Sequence, residues 1–291
     1  MRDTPKKRFF SRIALVRLLA FFFLLALLYA GGSVLVMFVA GRLPKDVRPL
    51  AELIGVAPLS LLMLGVYGLL VRWLERRKVR ELALWPGIPL LVAGLLLAFL
   101  MFCAVYAVLW AHGNAIWLGF TGTAGVLAMA SMALVSGVGE ELIMRGGVFR
   151  ILEDSFGTLI ALVLSGALFG ALHLVNPHAS WFGAVAIALE AGVLLGAAYA
   201  YTRSLWLPIG IHIGWNFTEG GVFGAAVSGS GSGHGLFNMP LSGPEILTGG
   251  SFGPEASVAA LTLCTAAGLF FVWRTLRRGR WVPASFHMML D

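Results

Sequence analysis

Charge is what this sequence has least of. Only 12% of its 291 residues are Asp, Glu, Lys or Arg, against 59% hydrophobic. A soluble domain carries about 25% charged and 45–50% apolar residues, so an ordinary water-soluble globule is excluded. Cysteine is nearly absent as well. Cys103 and Cys264 both sit within apolar runs, which rules out a disulfide framework and a Cys-pair metal site and leaves two small packing residues. Ten-residue segments of alternating polarity are lacking too, which excludes a transmembrane barrel. Acidic residues are scarcer than basic ones, 14 against 21, for a net charge of +7. The basic excess falls between apolar runs, where anionic lipid and membrane topology account for it and nucleic acid does not.

What the chain has in abundance is Leu- and Ala-rich runs of about 20 residues, each able to cross a hydrocarbon core roughly 30 Å thick. The expected fold is therefore an all-α, polytopic transmembrane helix bundle. Its spans number about eight: 18–40, 50–71, 88–110, 115–138, 158–175, 179–200, 206–223 and 257–273. The first follows a basic start (Arg2, Lys6, Lys7, Arg8, Arg12, Arg17). Its apolar run, about 23 residues, is too long for a signal-peptide core, so an uncleaved helix is expected. With the N-terminus cytoplasmic, 18 Lys and Arg residues fall inside and only Arg42, Lys45 and Arg48 outside. The positive-inside rule thus places both termini in the cytoplasm. One integral membrane domain spans 1–291. The stretch 224–256 is rich in Gly and Ser and carries no Lys or Arg, and reads as a flexible non-cytoplasmic linker. Pro254 and Glu255 suit the first turn of the helix that follows.

Ionisable groups in spans cost about 2.5–3.5 kcal/mol each at the bilayer centre and ask for a reason. They gather in 140–216. Glu140 and Glu141 are neighbours, so on a helix they point about 100° apart and serve different roles. Glu141 can pair with Arg145 one turn on. Glu140 has no local partner, and a desolvated carboxylate is suited to general base or acid work. The competing reading is a helix emerging into water, since Arg150, Glu153 and Asp154 follow. His173 lies in the next span. Residues 153–157 read as the turn of a helical hairpin, which brings Glu140 and His173 to within about 5 Å in height at 1.5 Å per residue. A carboxylate and an imidazole so opposed can hold one water. His212 and Asn216, four apart, share a helix face and can both donate to an anionic oxygen, with Gly214 allowing close helix approach. The alternative is a polar clamp between helices. Glu190, mid-span, pairs with Arg203, His178 or another helix or marks a polar cavity, and reads as structural support.

Together, Glu140-Glu141-x-x-x-Arg145, Phe169-x-x-x-His173 and His212-x-x-x-Asn216, in this order on successive spans, resemble the CPBP family. It comprises the CAAX-processing type II endopeptidases and the bacteriocin-processing (Abi) proteins. Gly192–Trp215 also resembles the family's penultimate region, and the likeness covers about 133–218. The resemblance implies an intramembrane endopeptidase with a catalytic core at 133–218. By carry-over Glu140 activates water, His173 orients it, His212 and Asn216 stabilise the tetrahedral oxyanion, and Glu141 and Arg145 form a scaffold pair. Family members are often labelled metalloproteases, and Glu140, His173 and His212 could hold zinc. The lack of H-E-x-x-H, and Asn216 as a poor zinc ligand, favour a glutamate mechanism without cofactor. The implied partners are membrane lipid and a peptide or membrane-protein substrate, and the implied location is the cytoplasmic membrane of a prokaryote. Two other classes compete. A proton-coupled transporter would use Glu140, Glu190 and His173 as its path, and a non-catalytic scaffold or immunity protein would share the fold without the reaction.

Overall fold

A computed structural model describes residues 10–123, 125–231 and 235–284, with side chains from residue 14. The basic residues from Arg2 to Arg12 that entered the topology count lie outside the described side chains. So do residues 232–234 of the Gly/Ser stretch. Among the described residues the chain is an all-α bundle with no strand, and seven of its helices are long and apolar enough to cross a membrane. The outward faces carry large apolar side chains such as Leu27 and Trp73, 70% and 82% exposed. Apolar exposure of that extent is stable against lipid and not against water.

Helix α1 (Phe10–Ala40), α2 (Arg48–Leu74) and α3 (Leu84–Ala111) are apolar spans, α3 with a kink at Trp85 and Pro86. Helix α4 (Val126–Glu141) runs through a π-helical segment, Leu142–Phe149, into α5 (Arg150–Phe156). Gly157, at φ 87°, then reverses the chain into α6 (Thr158–Leu172). The expected hairpin turn is therefore present but confined to its last residue. Helix α7 (Trp181–Ile187) passes through a π-helical segment, Ala188–Gly192, into α8 (Val193–Thr202). Helix α9 (Trp206–Asn216) continues into a third π-helical segment, Phe217–Val222. After the short α10 (Glu245–Thr248), the last span is α11 (Val258–Arg277).

Helix α9 with its π-helical continuation covers the place of the expected span 206–223 but is not among the seven helices long and apolar enough to cross a membrane, and α9 lies buried within the bundle. Glycine lets it approach α3 closely. A Cβ on Gly94 would stand 2.5 Å from the Leu207 carbonyl oxygen, one on Gly214 would stand 2.8 Å from that of Leu95, and one on Gly210 would collide with the Leu91 carbonyl. Backbones in such contact gain dispersion energy that bulkier residues would forfeit.

Two expectations are corrected. The fourth span does not begin at 115: the helix starts at Val126, because Gly119 and Gly122 take positive φ values of 113° and 100° that no helix accommodates. Residues 115–121 instead run beside 236–241. Leu118 N–H donates to the Asn238 carbonyl at 2.9 Å and Asn238 N–H to the Gly119 carbonyl at 2.9 Å. The second correction concerns 224–256, which is no free linker. Asn176 donates its side-chain amide to the Ser228 carbonyl, His178 N–H reaches the Gly229 carbonyl at 3.0 Å, and Gly229 N–H reaches that of Phe252 at 2.7 Å. Phe252, Pro254 and Glu255 are buried against the bundle. A Gly/Ser-rich composition signals low side-chain bulk, and here that permits backbone-to-backbone pairing. Nor do Pro254 and Glu255 open the last helix. They form a separate 3-10 turn, and Ser257 is the cap, accepting a hydrogen bond from Ala260 N–H at 3.2 Å.

The end of the bundle bearing the α2–α3 link is tied by ions. Glu75 accepts from Arg150 at 2.7 Å and Arg77 at 2.7 Å, and Arg77 also reaches Glu81 at 2.6 Å. Tyr67 donates to Glu81 at 2.6 Å. Burial opposes the charge on Glu81, but the hydrogen bonds from Arg77 and Tyr67 prevail and hold its carboxyl below the ordinary 4.5.

Candidate active site

Three helices bring the sequence-predicted residues together: α4 supplies Glu140 and Glu141, α6 supplies Phe169 and the 3-10 turn that follows it supplies His173, and α9 supplies His212 and Asn216. Helix α1 adds a residue that the sequence did not single out. Glu141 is fully buried and forms the centre of the arrangement. Its Oε1 accepts from Arg145 Nη1 at 2.8 Å and from His212 Nδ1 at 2.9 Å. Arg145, 1% exposed, also donates to the Ala191 carbonyl at 2.8 Å and lies over the Phe169 ring at 4.7 Å. The expected Glu141–Arg145 pair is thus present, and its carboxylate also sets the imidazole of His212.

With His212 Nδ1–H given to Glu141, Nε2 faces the neighbouring carboxylate, 3.9 Å from Glu140 Oε2. Glu140 is the more open of the two acids, its side chain 22% exposed. Its other oxygen accepts from the Tyr29 hydroxyl at 3.0 Å. Glycine at 139 makes that possible, since a Cβ there would stand 2.7 Å from the Tyr29 ring. Nothing in the sequence marks Tyr29, an aromatic residue within an apolar span; only the folded α1–α4 contact brings it to the acid.

His173 is partly exposed and anchored by its own helix. Its Nδ1 lies 2.8 Å from the Phe169 carbonyl oxygen, an acceptor that requires N–H at that nitrogen and leaves Nε2 as the free one. Both imidazoles pack edge-on against the Phe169 ring, His173 at 4.7 Å and His212 at 6.1 Å. Asn216 spends one amide hydrogen on Ser136 Oγ at 3.1 Å and keeps the other. His173, His212 and Asn216 line one cavity of about 40 Å³, with Trp215, Glu190, Ser228 and Glu255 among its other walls. That space admits water, for which about 10–15 Å³ suffices.

Glu190 lines the cavity, in keeping with the polar-cavity alternative, and is not paired with Arg203. Arg203 is engaged with Glu153, and both Glu190 oxygens are buried without a hydrogen-bond partner. Glu219 and Glu255 lie nearby and were not anticipated. Their only sequence signal is a carboxylate at an apolar boundary, far from any Lys or Arg. Among the described residues, no group of three or more His, Cys, Asp or Glu side chains is placed to hold a metal ion.

Against known proteins, residues 122–218, about a third of the chain, match the family model described as type II CAAX prenyl endopeptidase, Rce1-like. Neither the curated proteins nor the solved structures give a match. The matched segment contains Glu140, Glu141, Arg145, His173, His212 and Asn216, and so coincides with the site assembled above. The chain is therefore a multi-pass membrane protein whose site-bearing segment, residues 122–218, is similar to the Rce1-like type II CAAX prenyl endopeptidases.

Proposed function

We propose that the chain is an intramembrane endopeptidase of the CAAX-processing type, with Glu140 as the base that activates water. The observation that carries this reading is the division of labour between two adjacent carboxylates. Glu141 is sealed off and committed to Arg145 and His212, while Glu140 is partly open and faces the imidazole that Glu141 positions.

The reaction runs on this chain's side chains. Glu140 takes a proton from a water that accepts orientation from His173 Nε2. The water oxygen attacks the scissile carbonyl carbon, and the electron pair moves onto the carbonyl oxygen. His212, doubly protonated so that Nδ1–H stays with Glu141 while Nε2 also carries a hydrogen, donates that Nε2–H to the oxyanion together with the free amide hydrogen of Asn216. Tyr29 holds Glu140 in place through one oxygen and leaves the other for the proton. Glu140 then delivers the proton to the amide nitrogen, the C–N bond breaks, and the products leave as an acid and an amine. No step is routed through a metal. The site's depth is proposed to lie in the cytoplasmic half, consistent with the charged α5 end that follows Glu140 by about two to four helical turns.

The test is cleavage of a reporter peptide by purified protein in nanodiscs. Loss of a general base costs about 10²–10⁴-fold, so Glu140→Gln should abolish cleavage at an unchanged unfolding midpoint, and a chelator should leave wild type active. Retained cleavage by folded Glu140→Gln would refute the assignment. Chelator-sensitive cleavage restored by zinc would instead favour a metalloprotease.

A further inference from the structure

The catalytic candidates occupy only part of the cavity. Glu190, in the π-helical segment between α7 and α8, and Glu255, in the 3-10 turn before α11, line it as well. Glu219 packs behind Glu255, whose N–H lies 3.3 Å from Glu219 Oε1. These three side chains are 2%, 0% and 2% exposed. Both oxygens of Glu190 and one each of Glu219 and Glu255 have no hydrogen-bond partner of normal geometry.

Counter-charge is missing from this place. The titratable groups that face the acids are His173, beside Glu255; His212, across the cavity; Cys264, beside Glu190; and Tyr106, beside Glu219. No Lys or Arg lines the cavity among the described residues. Arg145, the nearest cation through Ala191, is already committed to Glu141. Burial pushes the Glu255 carboxyl up, against smaller lowering from Glu219, Ser228 and His173. Buried carboxyl groups whose close polar neighbours are one another, Ser228 and the Cys264 thiol, and no cation, weaken a fold. Their place in the wall of a reaction cavity means that a ligand can supply the missing charge.

Resting on the protease reading, we propose that Glu190 and Glu255, backed by Glu219, form a cation subsite that seats a primary ammonium group of the peptide substrate next to the scissile bond. Among the described residues no three His, Cys, Asp or Glu side chains are grouped there to hold a metal ion. The cavity, about 40 Å³, takes an ammonium head with a short stem, and Ile187, Leu194 and Leu195 provide apolar walls for the methylenes. Such a group comes from a lysine side chain or from a peptide's amino terminus. The same carboxylates repel a free carboxylate on this side of the bond.

Two measurements test the subsite. The first needs no cleavage: the unfolding midpoint and tryptophan fluorescence of the protein in nanodiscs are titrated with n-butylammonium and with its neutral isostere 1-butanol, Trp215 in the cavity wall serving as reporter. Binding of the ammonium should be at least tenfold tighter than that of the alcohol, and Glu190→Gln and Glu255→Gln should each erase the difference. Equal behaviour of the two probes in wild type would overturn the proposal, and this comparison requires no variant to fold. The second compares N-acetylated peptides carrying Lys or norleucine at successive positions, and one norleucine peptide with a free amino terminus. A preference in kcat/KM of tenfold or more at one position, collapsing toward unity in Glu190→Gln, would identify lysine. A preference confined to the free terminus would identify that source instead. Cleavage indifferent to both would overturn the subsite while leaving the protease intact. Ammonium binding without any cleavage would support the subsite and count against the protease.

Discussion

The Glu141–Arg145–His212 network makes a quantitative prediction. Arg145 is 1% exposed and Glu141 fully buried, and they meet at 2.8 Å. Removing one partner of such a pair leaves an uncompensated charge, which costs about 3–5 kcal/mol. Glu141→Gln should therefore destabilise by about that amount, the amide oxygen preserving at most one of the two hydrogen bonds. Arg145→Met should cost less, about 1.5–3 kcal/mol, because Glu141 keeps the 2.9 Å bond from His212. The double variant Glu141→Gln/Arg145→Met has no unpaired charge and should lose less than the sum, by about 2–3 kcal/mol. Unfolding in mixed micelles titrated with sodium dodecyl sulfate measures all four proteins. Additive losses, or single losses under about 1 kcal/mol as for an exposed pair, would refute the claim that this pair is buried and cooperative.

Tyr29→Phe removes one hydroxyl donated to Glu140 at 3.0 Å. It should lower kcat about tenfold, the equivalent of about 1.4 kcal/mol, with little change in KM; an unchanged kcat would remove Tyr29 from the site. Gly210→Val places side-chain atoms where the Leu91 carbonyl stands. It should destabilise by about 1–3 kcal/mol through overpacking of α9 on α3, and a neutral unfolding midpoint would contradict the close approach. The Glu81 carboxyl is held below 4.5 by Arg77 and Tyr67. A depressed carboxyl contributes stability that is present above its unfolded value and lost as pH falls through its folded value. The destabilisation caused by Glu81→Gln should accordingly be full near neutral pH and fade below about 4.5; a loss that grows on acidification would contradict the sign.

Much of the fold was legible because lipid imposes a simple rule: each span must be apolar over about 20 residues. That rule found the helices, and it failed at 115–125, where the residues are apolar but the glycines are not helical. The Gly/Ser stretch failed for a different reason. Composition reports side chains, whereas 224–231 and 235–256 are held by main-chain hydrogen bonds to 115–121 and His178 and by the Asn176 side chain, which composition does not encode. At the site, residues on local repeats were visible: Glu141 with Arg145, and His212 with Asn216, each four apart. Pairings across helices were not. Tyr29 on Glu140 and Glu141 on His212 depend on which helix faces join 71 or more residues apart. The acids at 190, 219 and 255 likewise come together only when the 3-10 turn before α11 folds back over the cavity.

The most direct test of the central claim is a comparison of peptide termini, by proteomics, in membranes containing either wild type or Glu140→Gln at matched abundance. It presumes no substrate. New termini that appear only with wild type are the predicted result, and their flanking sequence would name the cleaved bond. Identical termini, with both proteins folded, would contradict the assignment of Glu140 as the base of a peptide-hydrolysing site.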